Sequence, residues 1–197
     1  DIDMDGNIDP VSTAYWKDSN DVMKEYPINY LDELYGQSVY FQKKFLNYKS
    51  FSFATIDDIL DENMMKRVKL KLNVNTTSSY ILWNDKGQFR WEELPKCLQV
   101  APITKTIIRD FNGDDYPDVL LGGNDHTYDV STGYYDSNKG MVLLSRGDRQ
   151  SFEILPPSHS GILLHGMLES LLCFDGDTTL FVAGFNRSKV AVYKHKK

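Results

Sequence analysis

The chain has 197 residues, 41% hydrophobic and 25% charged, the balance of an ordinary globular protein, so disorder is not the expectation. That length accommodates one domain with a sizeable core or two small ones. A formal net charge of −6 argues against a nucleic-acid partner, because phosphate contacts need a basic surface, and suits a protein that holds cations. No run approaches the roughly 18 apolar residues of a membrane span, and no signal peptide is visible.

The first twenty residues hold an acidic loop and a strand candidate, Val11 to Lys17. From residue 27 to 73 the texture is helical. Leu31, Leu34, Tyr35, Phe41, Phe45 and Tyr48 follow roughly helical spacing, with Gly36 as a candidate break. Thr55-Ile56-Asp57-Asp58 reads as an N-cap with an acid at the third helical position. Ile59, Met64, Met65, Val68 and Leu72 continue the pattern. Lys66, Arg67, Lys69 and Lys71 lie near the C-terminal end, where cations suit the helix dipole.

From Ser79 onward short strands succeed one another. Tyr80-Ile81-Leu82-Trp83 and Gln88-Phe89-Arg90-Trp91 flank Asn84-Asp85-Lys86-Gly87, a hairpin turn with a glycine for positive φ. Thr104 to Arg109, Val119 to Leu121, Met141 to Leu144, Phe152 to Leu155, Thr179 to Val182 and Lys189 to Tyr193 extend the series. An aromatic share of 13% suits pleated surfaces. Short, regularly punctuated strands point to a sandwich, barrel or propeller.

The feature that carries chemistry is an internal repeat. Asp1-x-Asp3-x-Asp5-Gly6-x-x-Asp9 recurs as Asp110-x-Asn112-x-Asp114-Asp115-x-x-Asp118. Calcium takes six to eight hard oxygen ligands at about 2.3–2.6 Å, and a tight loop with carboxylates at alternate positions can wrap them around one ion. Asp1, Asp3, Asp5 and Asp9 are the side-chain ligands of the first loop, with the carbonyl of Asn7. Asp110, Asn112, Asp114 and Asp118 take those parts in the second, with the carbonyl of Tyr116. An EF-hand is excluded, since position twelve is Ser12 or Leu121 and not a bidentate Glu. Metal-free acidic turns are the competing reading; two copies at matched spacing favour Ca2+.

These residues resemble the FG-GAP/VCBS repeats of integrin-α-like propellers and exported bacterial proteins. The likeness lies in Asp1 to Asp9 and in Asp110 to Asp118 with the following Val119-Leu120-Leu121-Gly122-Gly123-Asn124. Tyr40 to Ile59, Leu94-Pro95, Ala101-Pro102, Gly133 to Asp136 and Ser158 to Gly161 extend it to the bacterial VCBS proteins related to cartilage acidic protein, the ASPIC/UnbV-associated group. The literal Phe-Gly and Gly-Ala-Pro signatures are absent. The resemblance implies a mainly β fold with a helical insertion, namely a partial β-propeller of about three blades of four antiparallel strands. Residues 1–26 would end one repeat and carry a calcium loop, 27–78 would be the insertion, and 79–197 would be blades with the second loop. It further implies export to the extracellular space or a bacterial cell surface, with lipoprotein anchoring among the options. Because the chain opens inside a motif, a fragment or processed product is expected, with the remaining blades and any export signal upstream.

Other features rank lower. Arg146-Gly147-Asp148 invites an integrin-ligand reading but sits where a hairpin turn is needed. Cys97 and Cys173 make no disulfide framework, and free thiols are expected. His126, His159, His165 and His195 lack zinc spacing, although His126 and His159 lie in loops that could meet. Nucleophile-elbow, phosphate-loop and dinucleotide patterns are absent. Tyr128, Tyr134 and Tyr135 occupy the Gly/Asn/Asp-rich stretch 122–139, where contacts to a glycan or peptide and packing between blades explain them equally well. The expected function is therefore a calcium-stabilised, non-catalytic module for binding a protein or glycan. The alternative is a glycan-active or other hydrolytic enzyme on the same scaffold, which needs paired carboxylates. An intracellular scaffold without metal is the third reading.

Overall fold

The computed structural model describes residues 1–128, 130, 132–147 and 151–195. The chain divides into two units, Asp1–Asn75 and Thr76–Lys197. The fold is mainly β, with four small antiparallel sheets among the described residues, none closed into a barrel. No helix is long and apolar enough to cross a membrane among those residues.

The first unit opens with the acidic loop and continues into a hairpin, β1 (Thr13–Lys17) against β2 (Met23–Pro27). The second of these strands escapes a sequence reading because charges sit in its middle. Those charges are paired: Glu25 accepts from Thr13 Oγ1 at 2.6 Å and meets Lys71 Nζ at 3.0 Å, while Lys24 meets Asp18 at 2.9 Å.

The helical stretch is a chain of five short helices: α1 (Leu31–Gln37), α2 (Val39–Lys44), α3 (Tyr48–Phe51), α4 (Ile56–Ile59) and α5 (Glu62–Arg67). The break after α1 comes at Ser38 and not at Gly36, which stays helical; Ser38 is extended and its hydroxyl accepts from Tyr40 N. Thr55 caps α4 and forms a capping box with Asp58, as its sequence predicts. The continuation to Leu72 does not hold. The chain turns at Leu60, and Asp61 caps α5 by accepting from the backbone N–H of Asn63 and Met64, both at 2.9 Å. Leu31, Leu34, Phe41, Ile56, Ile59 and Met64 bury one face together with Ile2, drawn in from the acidic loop.

In the second unit, β3 (Tyr80–Asp85) and β4 (Gln88–Glu93) form the expected hairpin. Asp85 pairs with Gln88, so Lys86 and Gly87, at φ of 50° and 90°, make a two-residue turn whose twist matches its strands. A 3-10 turn at Lys96–Leu98 leads to a four-stranded meander of β5 (Ile103–Arg109), β6 (Asp118–Gly123), β7 (Met141–Ser145) and β8 (Phe152–Leu155), ordered β5-β6-β7-β8. Asp148 of the Arg-Gly-Asp tripeptide lies outside the described residues; Arg146 N donates to Ser151 O across the hairpin it belongs to. A short helix α6 (Pro157–Ser160) precedes a three-stranded sheet of β9 (Leu168–Phe174), β10 (Leu180–Phe185) and β11 (Ala191–Lys194), with β10 central.

The edge strands β5 and β9 lie side by side and run the same way. Thr104 Oγ1 donates to Leu168 O near their starts, and Arg109 reaches Cys173 and Asp175 near their ends. The four-stranded sheet is covered on both faces. Leu120 and Val142 pack with Leu168, Phe181 and Ala183 of the three-stranded sheet, whereas Leu121 and Leu143 pack with Leu94, Leu98 and Ile81 on the hairpin side. Trp83 of that hairpin stacks on Phe152 at 5.5 Å. The outward faces of the two flanking sheets carry exposed Leu82, Phe89 and Trp91 at one end and Leu172, Phe174 and Val192 at the other. Both cysteines are free thiols, Cys97 exposed and Cys173 half-buried.

Candidate metal centre

The two acidic loops belong to different units, yet three of their backbone N–H contacts to side-chain oxygens fall at matching positions. In the first, Ile2 N donates to Asp9 Oδ2 at 2.5 Å, Asp5 N to Asp3 Oδ1 at 3.2 Å, and Asn7 N to Asp5 Oδ1 at 2.8 Å. In the second, Phe111 N donates to Asp118 Oδ2 at 2.8 Å, Asp114 N to Asn112 Oδ1 at 3.1 Å, and Tyr116 N to Asp114 Oδ1 at 2.9 Å. The backbone repeats as well. Met4 and Gly6 have φ of 65° and 94°, and their counterparts Gly113 and Asp115 have 82° and 66°. Left-handed residues at the fourth and sixth positions thus recur with the residue types exchanged. Asp115 takes the conformation that Gly6 takes in the first loop, as an Asp can.

Each loop is anchored in a core through its second residue. Ile2 is buried beside the helices of the first unit, and Phe111 packs on Phe181 at 5.5 Å in the second. The closing carboxylates are buried too, with side-chain exposure of 2% for Asp9 and a fully buried Asp118. Asp118 spans two structural levels: Oδ2 fastens the loop at Phe111 N, and Oδ1 accepts from Ser145 N at 2.7 Å at the end of β7.

The loops differ in how far their ligand atoms converge. Asp1, Asp3 and Asp9 each bring a carboxylate oxygen within 4.8 Å of the others. Two oxygens on opposite sides of one calcium ion, each about 2.4 Å away, stand about 4.8 Å apart. The first loop therefore has the compactness a shared hard cation requires. Ser38 Oγ supports it by donating to Asp3 Oδ2 at 2.7 Å, and Arg67 Nη2 by donating to Ile2 O at 2.8 Å. Asp5 stands outside the gathered set and instead accepts from both the backbone N–H and the side-chain amide of Asn7.

Asp110, Asp114 and Asp118 do not gather in this way among the described residues. Asp110 turns inward on the loop and accepts from the backbone N–H of Asn112, Gly113, Asp114 and Asp115. Desolvation raises its pKa, but those N–H donors together hold the carboxyl below its ordinary value. Asp5 is likewise held low, chiefly by the Asn7 backbone N–H and then by the Asn7 amide. At Asn7 and Tyr116 the observed role is N–H donation to Asp5 and Asp114.

Hydrogen bonds and ion pairs likewise hold the carboxyls of Asp18, Glu25, Asp58 and Asp125 below their ordinary values. The histidines gather no ligand set among the described residues. His159 lies in α6, and His126 stacks on Tyr134 at 4.5 Å, its Nε2 shielded and without a hydrogen-bond partner among the described residues. Tyr128 meets Tyr135 edge-on at 4.6 Å.

A second feature was invisible to sequence reading. A cleft of about 890 Å³ opens beside the second loop, lined by Arg109, Asp110 and Phe111 on one side and Cys173, Asp175 and His195 on the other. Its halves lie more than sixty residues apart, and no spacing rule joins them. No protein-family model matches this chain, and no curated protein or solved structure does either.

Proposed function

We propose that this chain is a calcium-stabilised binding module of an exported, FG-GAP/VCBS-type β-propeller. The observation that carries the reading is the repeated loop. Two segments 109 residues apart share side-chain spacing, hydrogen-bond pattern, left-handed positions and a buried closing aspartate. Agreement at so many points favours a common role for the two loops, and the oxygen donors they carry suit calcium. Calcium would join carboxylates that otherwise repel, and would stabilise each unit according to RT ln(1 + [L]/Kd).

The propeller reading draws support from the second unit. A complete four-stranded meander is followed by a sheet whose first strand lies parallel to its own first strand, and sheets stack face to face. The two apolar outer faces suit a stack that continues on both sides. Rigid blades of this kind present loops to extracellular protein or glycan ligands, which is the role we assign.

The test is a thermal melt with excess calcium, with chelator and with magnesium. The reading expects a rise of several degrees with calcium and little with magnesium, which keeps its water and demands tighter octahedral geometry. Coincident melts in all three would sink it.

A further inference from the structure

The connection between β6 and β7 carries a pair of tyrosines that the packing of the sheets leaves uncovered. Both faces of the four-stranded sheet are occupied, one by the β3–β4 hairpin and the other by the three-stranded sheet. Tyr128 is nevertheless 52% exposed and Tyr135 38%. Packing between neighbouring sheets, one of the two explanations open from sequence, therefore does not account for these rings.

The connection holds them in place. At its base Asn124 is buried, its Nδ2 donating to Asn138 O at 2.7 Å and Gly166 O at 2.9 Å, while its Oδ1 accepts from Asn138 N at 2.9 Å. One step further out, Asp125 and Tyr135 exchange both backbone hydrogen bonds, each 2.9 Å. Residues paired in this way stand opposite one another on one face of the ladder, with Cβ atoms about 4.5–5.5 Å apart. The Asp125 side chain thus stands beside that of Tyr135. His126 and Tyr134 come next along the two segments and stack on each other at 4.5 Å on the opposite face.

Apolar surface and a hydrogen-bond acceptor meet on the Asp125 face. Tyr128 meets Tyr135 at 68° with ring centroids 4.6 Å apart, so the two rings make a corner. Asp125 Oδ1 accepts from Thr127 N and Thr127 Oγ1, both at 2.7 Å, and Oδ2 accepts from no described residue. A carboxylate oxygen only accepts, so it suits a hydroxyl donor. The tyrosines add rigid apolar surface with polar tips at little entropic cost. A sugar ring offers the complement of both, a face of C–H groups and a rim of hydroxyls. An ammonium ligand fits less well, because cation–π contact needs an open ring face. At this separation the edge of one ring occupies the face of the other.

We propose that Tyr128, Tyr135 and Asp125 form a carbohydrate site, in which the rings pack on the C–H face of one sugar unit and Asp125 Oδ2 accepts from its hydroxyls. This names the ligand class for the binding role assigned above and rests on that role, but not on calcium.

Saturation-transfer NMR of the whole chain tests it. The probes are the methyl glycosides of glucose, galactose, mannose and N-acetylglucosamine, with choline as the cationic comparison. At least one glycoside receives saturation, strongest at the C–H protons of one ring face, and choline does not. Tyr128→Ala and Asp125→Asn each weaken the binding about fivefold or more. Tyr128→Phe keeps the ring and most of the binding, which separates loss of the ring from loss of the fold. Tyr134→Ala, on the opposite face, leaves the affinity unchanged. Silence from every glycoside, choline binding in their place, or glycoside binding indifferent to Tyr128 and Asp125 overturns the site, as does binding that depends on Tyr134 instead. The two readings fail separately. A melting temperature unmoved by calcium sinks the calcium reading and leaves this site standing, whereas silent glycosides overturn the site and leave the calcium reading untouched.

Discussion

Asp114 and Asp118 occupy the same loop, but their carboxylates do different things, and removing each separates metal binding from loop architecture. Asp118 is fully buried and accepts from two backbone N–H groups, Phe111 at 2.8 Å and Ser145 at 2.7 Å. Asp118→Ala leaves both donors without a partner. A buried unsatisfied donor costs about 1–3 kcal/mol, so a loss of about 3 kcal/mol is expected already in chelator, and a larger one in calcium if Asp118 is also a ligand. For a unit of this size that is a fall of roughly 12 °C in melting temperature.

Asp114 is exposed, and its contacts, Tyr116 N and the Asn112 amide, lie within the loop, so Asp114→Ala in chelator should cost under about 1 kcal/mol. In calcium the difference grows. If the loop binds calcium with a dissociation constant on the order of 0.1–1 mM, 10 mM calcium would contribute about 1.4–2.7 kcal/mol to the parent. The variant forfeits most of it, a gap of roughly 5–10 °C by differential scanning calorimetry. Equal melting of Asp114→Ala and parent in calcium would refute the ligand assignment. An Asp118→Ala protein as stable in chelator as Asp114→Ala would refute the argument from buried donors.

Glu25→Gln should destabilise the first hairpin by about 1–2 kcal/mol at neutral pH, because the carboxylate accepts from Thr13 and pairs with Lys71. Those contacts, Thr13 first, hold the Glu25 carboxyl below 4.5 in the fold. Its contribution is therefore complete above that pH and lost as pH falls through the lower folded value, so urea melts of variant and parent should converge in acid. Gly123→Ala would place a Cβ 1.8 Å from Pro102 O, a clash with backbone that no rotamer relieves. It should abolish the β5–β6 register, seen as loss of amide protection in both strands; an unaltered exchange pattern would show that the chain can part there.

Much of the local structure was legible in the sequence because it depends on near neighbours. The Thr55 capping box, the Lys86-Gly87 turn and the strand from Phe152 to Leu155 each follow from residues within a few positions. The acidic repeat belongs to the same class: its Asx-type contacts span two to seven residues, so spacing alone specifies most of the loop. What spacing could not show was which oxygens converge. Asp1, Asp3 and Asp9 come together while Asp5 turns to Asn7, a choice made with help from Ser38, thirty-five residues away.

Tertiary structure alone decided the rest. The helical run broke at Ser38 because that hydroxyl both caps α2 and reaches the loop, a gain that outweighs the helix propensity a local reading counts. β2 formed despite its central charges because Thr13 and Lys71 supply partners from elsewhere in the chain. The cleft exists because β5 and β9, far apart in sequence, are brought side by side by burial of Leu120, Leu168 and Phe181 between their sheets. Sequence by itself determined the acidic loops and the strands they join, since turns and short hydrogen bonds act over a few residues. The contact of Ser38 with Asp3 and the meeting of Arg109 with Asp175 required the packed core, because burial of apolar surface brings such distant residues to within bonding distance.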